Sequence, residues 1–133
     1  MTGTSSRRVI LLGLILVCVA LLFVTAEVSA AGTAEEVGQL LTSLERSPCM
    51  FNRNGTWFSA ADARAHLESK YRYLASRNRI KTAEDFINLA ATSSSRSGKP
   101  YQVQCAGEET VPSAVWMRTE LQRLRRASIA PSR

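Results

Sequence analysis

Cys49-Met50-Phe51-Asn52-Arg53-Asn54-Gly55-Thr56-Trp57-Phe58 is the stretch on which the fold turns. Short runs of β-forming residues flank Asn54-Gly55, the dipeptide that most readily takes the positive φ angles of a two-residue turn. Two short antiparallel strands are therefore predicted. Asn54-Gly55-Thr56 is also a formal N-glycosylation sequon, but the turn alone accounts for it. Further along, Tyr101-Gln102-Val103-Gln104-Cys105 alternates in strand fashion. A bond from Cys105 to Cys49 would lay it beside the hairpin, giving a three-stranded antiparallel sheet.

The compartment bears on that bond. Residues 1–8 are polar and end in Arg7-Arg8. Residues 9–24 carry only apolar side chains or Gly, and Val28-Ser29-Ala30-Ala31 supplies small residues behind them. These are the three parts of a secretory signal peptide, predicted as 1–30 with cleavage after Ala30 or, alternatively, Ala31. An uncleaved anchor is the competing reading, since about 18 apolar residues begin to qualify as a spanning helix. Cleavage removes Cys18 and leaves Cys49 and Cys105 in an oxidising compartment, where thiols pair. The alternative, a zinc or thiolate site, requires closely spaced partner ligands, and the chain offers one His and no Cys-x-x-Cys.

The remaining 31–133 are enough for one core, so a single α+β domain is expected. Three helix starts are marked by capping patterns. Thr33-Ala34-Glu35-Glu36 precedes a helix over about 34–46 with Val37, Leu40, Leu41 and Leu44 on one face, ended by Pro48. Ser59-Ala60-Ala61-Asp62 opens a helix to about residue 77 with Ala60, Ala63, Leu67, Tyr71 and Leu74 on one face. Thr82-Ala83-Glu84-Asp85 opens a shorter one carrying Phe86, Leu89 and Ala90. Pro112-Ser113 leads into a last helix with Val115, Trp116, Leu121 and Leu124. About four helices thus pack on the sheet.

Lys and Arg number 17 against 11 Asp and Glu; without Arg7, Arg8 and Glu27 the balance is 15 to 10. This mild excess speaks of loose attraction to anions, not of fold. Export removes nucleic acid as a partner, no aromatic platform accompanies the basic C-terminal helix, and a membrane is met only through the leader. No Walker-type loop is present, and adjacent Glu108-Glu109 lack the spacing of a calcium loop. No metal or cofactor is expected.

Taken together, Asn52-Arg53-Asn54-Gly55, His66-Leu67 with Lys70, Lys81-Thr82-Ala83-Glu84-Asp85-Phe86-Ile87, Ser94-Ser95 with Ser97-Gly98 and Pro100-Tyr101, and then Cys105 resemble the YfeK-like family of exported bacterial proteins. The likeness covers nearly all of the chain after the leader. It implies a periplasmic or secreted envelope protein with a Cys49–Cys105 bridge. The family carries no assigned activity, so the resemblance brings no catalytic residues.

Two groups of side chains suggest chemistry. His66, Lys70, Tyr73 and Arg77 recur at spacings of four, three and four, which puts them in one stripe of the second helix. The stretch 93–100 has no periodicity and must be a loop. In it, Ser94, Ser95, Ser97, the Gly98 amide, Arg96 and Lys99 form an anion cradle on paper. If loop and stripe meet, they bind an envelope protein or an anionic cell-wall component without catalysis. The alternatives are a small hydrolase, with His66 as base, Asp62 orienting its ring and a loop serine as nucleophile, and an enzyme inhibitor with a protruding loop. The plain reading is a solvated helix edge and a solvated connector.

Overall fold

A computed structural model describes residues 25–129, with side chains from residue 32. Residues 1–24, which hold the predicted basic start and apolar run of the leader, lie outside the described residues. The chain divides into two compact units, 1–32 and 33–133, and the account below concerns the second. No helix among the described residues is long and apolar enough to cross a membrane.

The elements run α1 (Thr25–Arg46), β1 (Cys49–Arg53), β2 (Thr56–Phe58), α2 (Ala60–Ala75), α3 (Ala83–Phe86), a π-helical turn (Ile87–Ala91), β3 (Gln102–Cys105), β4 (Val111–Pro112) and α4 (Ser113–Ile129). The α+β class and the four helices are as expected. The sheet has four antiparallel strands, not three, in the order β2-β1-β3-β4. The extra strand is two residues long and pairs Gln102 with Pro112 and Val103 with Val111. A proline has no amide hydrogen for a ladder and is tolerated on an edge, which is where Pro112 lies. So short a strand leaves no alternation to read.

Asn54 and Gly55 both take positive φ, 55° and 87°, as a two-residue hairpin turn requires. Phe51 then faces Phe58 on one side and Val103 on the other. Cys49 and Cys105 are opposed in register and joined by a disulfide. Strand periodicity puts Cys49, Phe51 and Arg53 on one face of β1. The first two are buried against α2, whereas Met50 is exposed on the other face.

Ser59 caps α2 by accepting the Asp62 amide. The helix is closed as predicted near Arg77. Asn78 sits at φ 58°, the Asn78 amide donates to Ala75 O and the Arg79 amide to Leu74 O, the paired bonds of a left-handed C-terminal stop. Thr82 and Asp85 form the full reciprocal capping box at α3.

Three expectations are corrected. The first helix begins at Thr25 instead of 34, so Thr33 and Glu36 do not cap it; the Thr33 hydroxyl donates to Lys81 O, and Glu36 pairs with Arg125. After Phe86 the backbone widens into the π turn. The buried positions become Ile87, Ala90 and Ala91, and Leu89 turns outward, 38% exposed. In α4 the inward face is Ala114, Met117 and Leu121, while Val115 is half exposed.

The core joins Val37, Leu40, Leu41 and Leu44 of α1 to Phe51, Leu67, Phe86, Val103 and Met117. Arg125 ties its rim. Its guanidinium forks onto Glu36 of α1 (2.6 and 2.9 Å) and onto Glu84 of α3 (2.6 and 3.3 Å). These bonds hold Glu84 below the usual carboxylate range. Because the groups remain partly exposed, Arg125→Leu is expected to lower stability by only about 1 kcal/mol, a few degrees in Tm, and the loss should shrink as salt is raised. Thermal melts at two ionic strengths check this.

Candidate functional site

The site grows from the register of the sheet. With Cys49 opposite Cys105 and Asn52 opposite Gln102, Arg53 and Tyr101 follow just past the last pair of the ladder. Both point to the helix-covered side, where His66 and Lys70, one turn apart on α2, lean over them. Arg53 is steadied by the ring of Phe58, 4.8 Å from its guanidinium carbon.

The hydrogen bonds fix the protonation state. Arg53 Nη1 lies 2.7 Å from His66 Nδ1. A guanidinium only donates, so Nδ1 accepts and the ring is neutral, with its proton on Nε2. Nε2 in turn donates to the Tyr101 hydroxyl at 3.2 Å. Lys70 Nζ donates to Ser93 O at 3.1 Å and to the same hydroxyl at 3.5 Å, and stands 5.1 Å from the Tyr101 ring centre. The Tyr101 oxygen thus accepts from two donors, which turns its own O–H away from them. No carboxylate among the described residues pairs with Arg53 or Lys70.

The electrostatics follow. Burial, then the charges of Arg53 and Lys70, hold the His66 pKa below its ordinary 6.5. Burial and Arg53 likewise lower that of Lys70, and burial raises that of Tyr101, so the phenol stays protonated. Above pH 6.5 the His66 ring is neutral in both folded and unfolded chains. As pH falls through 6.5 toward the lower folded value, the unfolded chain takes the proton first and the folded state loses stability. A Tm that declines between pH 7 and 5 is expected, with a shallower slope in His66→Gln.

Loop and stripe do meet. Lys70 holds the Ser93 carbonyl, and the loop docks on the hairpin turn. Asn54 Nδ2 donates to Ser94 Oγ at 3.3 Å, and Ser97 Oγ donates to Asn54 Oδ1 at 2.5 Å. Ser94 is 5% exposed, and its hydroxyl also receives the amides of Arg96 and Ser97. Lys99 serves through its backbone: its carbonyl accepts the Ser94 amide and its amide donates to Ser97 Oγ. Ser94 and Ser97 therefore organise the loop, leaving Ser95 and Arg96 to line the space beside Lys70 and His66. Tyr73 makes no hydrogen bond to Tyr101. It stacks under Arg77, 3.7 Å from guanidinium carbon to ring centre, and with His66, Lys70, Leu89 and Ser95 lines a cavity of about 280 Å³.

Two further cavities open on the cluster. One, about 350 Å³, is lined by the basic residues Arg53, Lys70 and Arg96 with Asn54, Ser94, Ser95, His66 and Tyr101. The other, about 310 Å³, is walled mainly by Phe51, Phe58, Ala63 and Leu67 and shares Arg53, His66 and Tyr101. Ser94, Ser95 and Arg96 of the loop form part of the wall of the first, and residues 95–100 are exposed. The arrangement expected of a hydrolase is different from the one found, since the His66 ring bonds Arg53 and Tyr101 instead of a serine, and Asp62 accepts from Ser59 Oγ at 2.7 Å. Among the described residues no group of three or more His, Cys, Asp or Glu is placed to hold a metal ion.

Arg53 and Tyr101 belong to the motifs that carry the family resemblance but are not among the candidate site residues read from the sequence. Counting outward along two strands from the opposed cysteines finds both.

Fold and site define a small disulfide-stapled α+β domain with a donor-rich pocket at one end of its sheet. The chain belongs to a family of unknown function (DUF5329), whose model matches residues 31–125 and so contains the whole site. It is 40% identical over 76 residues to the uncharacterized protein YfeK of Salmonella typhimurium (strain LT2), an alignment covering 57% of this chain and 62% of that protein. The chain thus spans less than two thirds of this relative's length. No solved structure matches.

Proposed function

We propose that this is an exported bacterial envelope protein that binds an anion without transforming it, the anion being a carboxylate or phosphate of a cell-wall component or partner protein. One observation carries the reading: Arg53, Lys70 and the Tyr101 hydroxyl converge on one space as donors, with no carboxylate between them. An unpaired cationic cluster of this kind is costly to assemble and is relieved by a bound anion. Arg96 and the Ser95 hydroxyl extend the same wall. Export is supported by the leader-like residues 1–30, by a family match that begins at residue 31, and by a disulfide, which persists in oxidising compartments.

A charge-assisted hydrogen bond contributes roughly 1.5–3 kcal/mol. Arg53→Gln is therefore expected to weaken binding of phosphate or acetate by at least about tenfold, and Lys70→Gln to act in the same direction. Arg96→Ala should act less, because its contact with the anion is made at the rim. Titration at low ionic strength followed by NMR checks this, with the melting temperature of each variant confirming its fold. Equal affinity in wild type and the Arg53→Gln, Lys70→Gln double variant would remove the site.

A further inference from the structure

The two cavities share their corner residues. Arg53, His66 and Tyr101 belong to both the basic space and the apolar one, so a group held at the corner has cations on one side and Phe51, Phe58 and Leu67 on the other. An inorganic anion uses only half of this. The apolar cavity, about 310 Å³, falls at the lower end of small-molecule pockets and is about twice the size of an engineered cavity that accepts benzene. Phe58 already stacks on Arg53, which places an aromatic wall directly behind the charge. Asp62 stands on the same wall, its carboxylate held by Ser59, and disfavours a second negative charge on the occupant.

We infer that the ligand is a monoanionic carboxylate bearing a bulky apolar group, with the carboxylate received by Arg53 and the Tyr101 hydroxyl and the apolar group seated between Phe51, Phe58 and Leu67. This rests on the anion-binding reading and sharpens it. A free aryl or branched alkyl acid and the carboxylate end of a short apolar peptide share this chemistry. Each methylene removed from water contributes roughly fourfold in affinity, so the apolar arm, not the charge alone, sets the strength of binding.

The test is an NMR titration of the purified chain with acetate, phenylacetate, 2-phenylacetamide, phosphate and a dipeptide ending in phenylalanine. Phenylacetate is expected to bind at least tenfold more tightly than acetate or phosphate, and the neutral amide at least tenfold more weakly than phenylacetate. The dipeptide distinguishes the sources: tighter binding than phenylacetate assigns a peptide terminus, weaker binding a free acid. Ala63→Leu, which fills the apolar cavity, should cancel the advantage of phenylacetate while leaving acetate unchanged. Where that variant does not fold, Phe58→Ala should reduce the same advantage. Phenylacetate binding no better than acetate would overturn the inference and leave the anion reading standing. The amide binding as tightly as the acid would overturn both.

Discussion

Replacing Cys49 and Cys105 together by alanine is expected to lower stability by about 4 kcal/mol, or roughly 15–30 °C in melting temperature for a domain of this size. The bond spans a sequence separation of 56 and ties the hairpin to β3, which the chain reaches only after two helices and a loop. Its effect lies mainly in the unfolded state, where cutting it restores the entropy of that loop. The native strands keep their register, because Phe51 and Val103 remain opposed and buried beside the vacated positions. For a small domain the loss is a large share of the total. Calorimetry of the double variant, or of the wild type in reductant, checks this; a shift under about 4 °C would show that the bridge is incidental to the fold.

Phe86→Ala is expected to cost about 3–5 kcal/mol. Phe86 is fully buried at the last turn of α3 and meets Tyr71 of α2 edge-to-face with ring centres 5.8 Å apart. Its removal leaves a void where α3 passes into the π turn, a short segment whose own hydrogen bonds cannot hold it in place. Tyr73→Ala on α2, where the ring is 58% exposed, should change stability by no more than about 0.5 kcal/mol. Urea denaturation of the two variants makes the comparison. Similar midpoints would mean that the core is not centred on Phe86.

Legibility in the sequence followed the strength of local signals. Asn54-Gly55, Ser59 and the Thr82–Asp85 box are each decided within a few residues, and the structure uses all three. The Thr33–Glu36 pattern looked alike but is spent on tertiary contacts with Lys81 and Arg125, because α1 begins at Thr25. Leu89 and Val115 were misplaced for different reasons. The π turn shifts the helical phase after Phe86, while in α4 small Ala114 and flexible Met117 fill the inward face that the larger apolar residues were expected to hold.

The same division holds at the site. His66 and Lys70 are legible from their spacing, and the loop from its composition. That the two meet depends on Lys70 reaching Ser93 O and on Asn54 holding Ser94 and Ser97, which no local pattern announces. Arg53 looked like the last residue of a hairpin strand. Only the pairing of β1 with β3 makes it the partner of Tyr101 and the centre of the cluster.

The most direct measurement is the titration of the His66 ring by NMR at low ionic strength, with and without saturating phenylacetate. A ring pressed between Arg53 and Lys70 with no carboxylate in contact should titrate below 6.5, and a bound anion, by supplying the missing negative charge, should raise its pKa. A ring that titrates at 6.5 and does not respond to the anion would contradict the account.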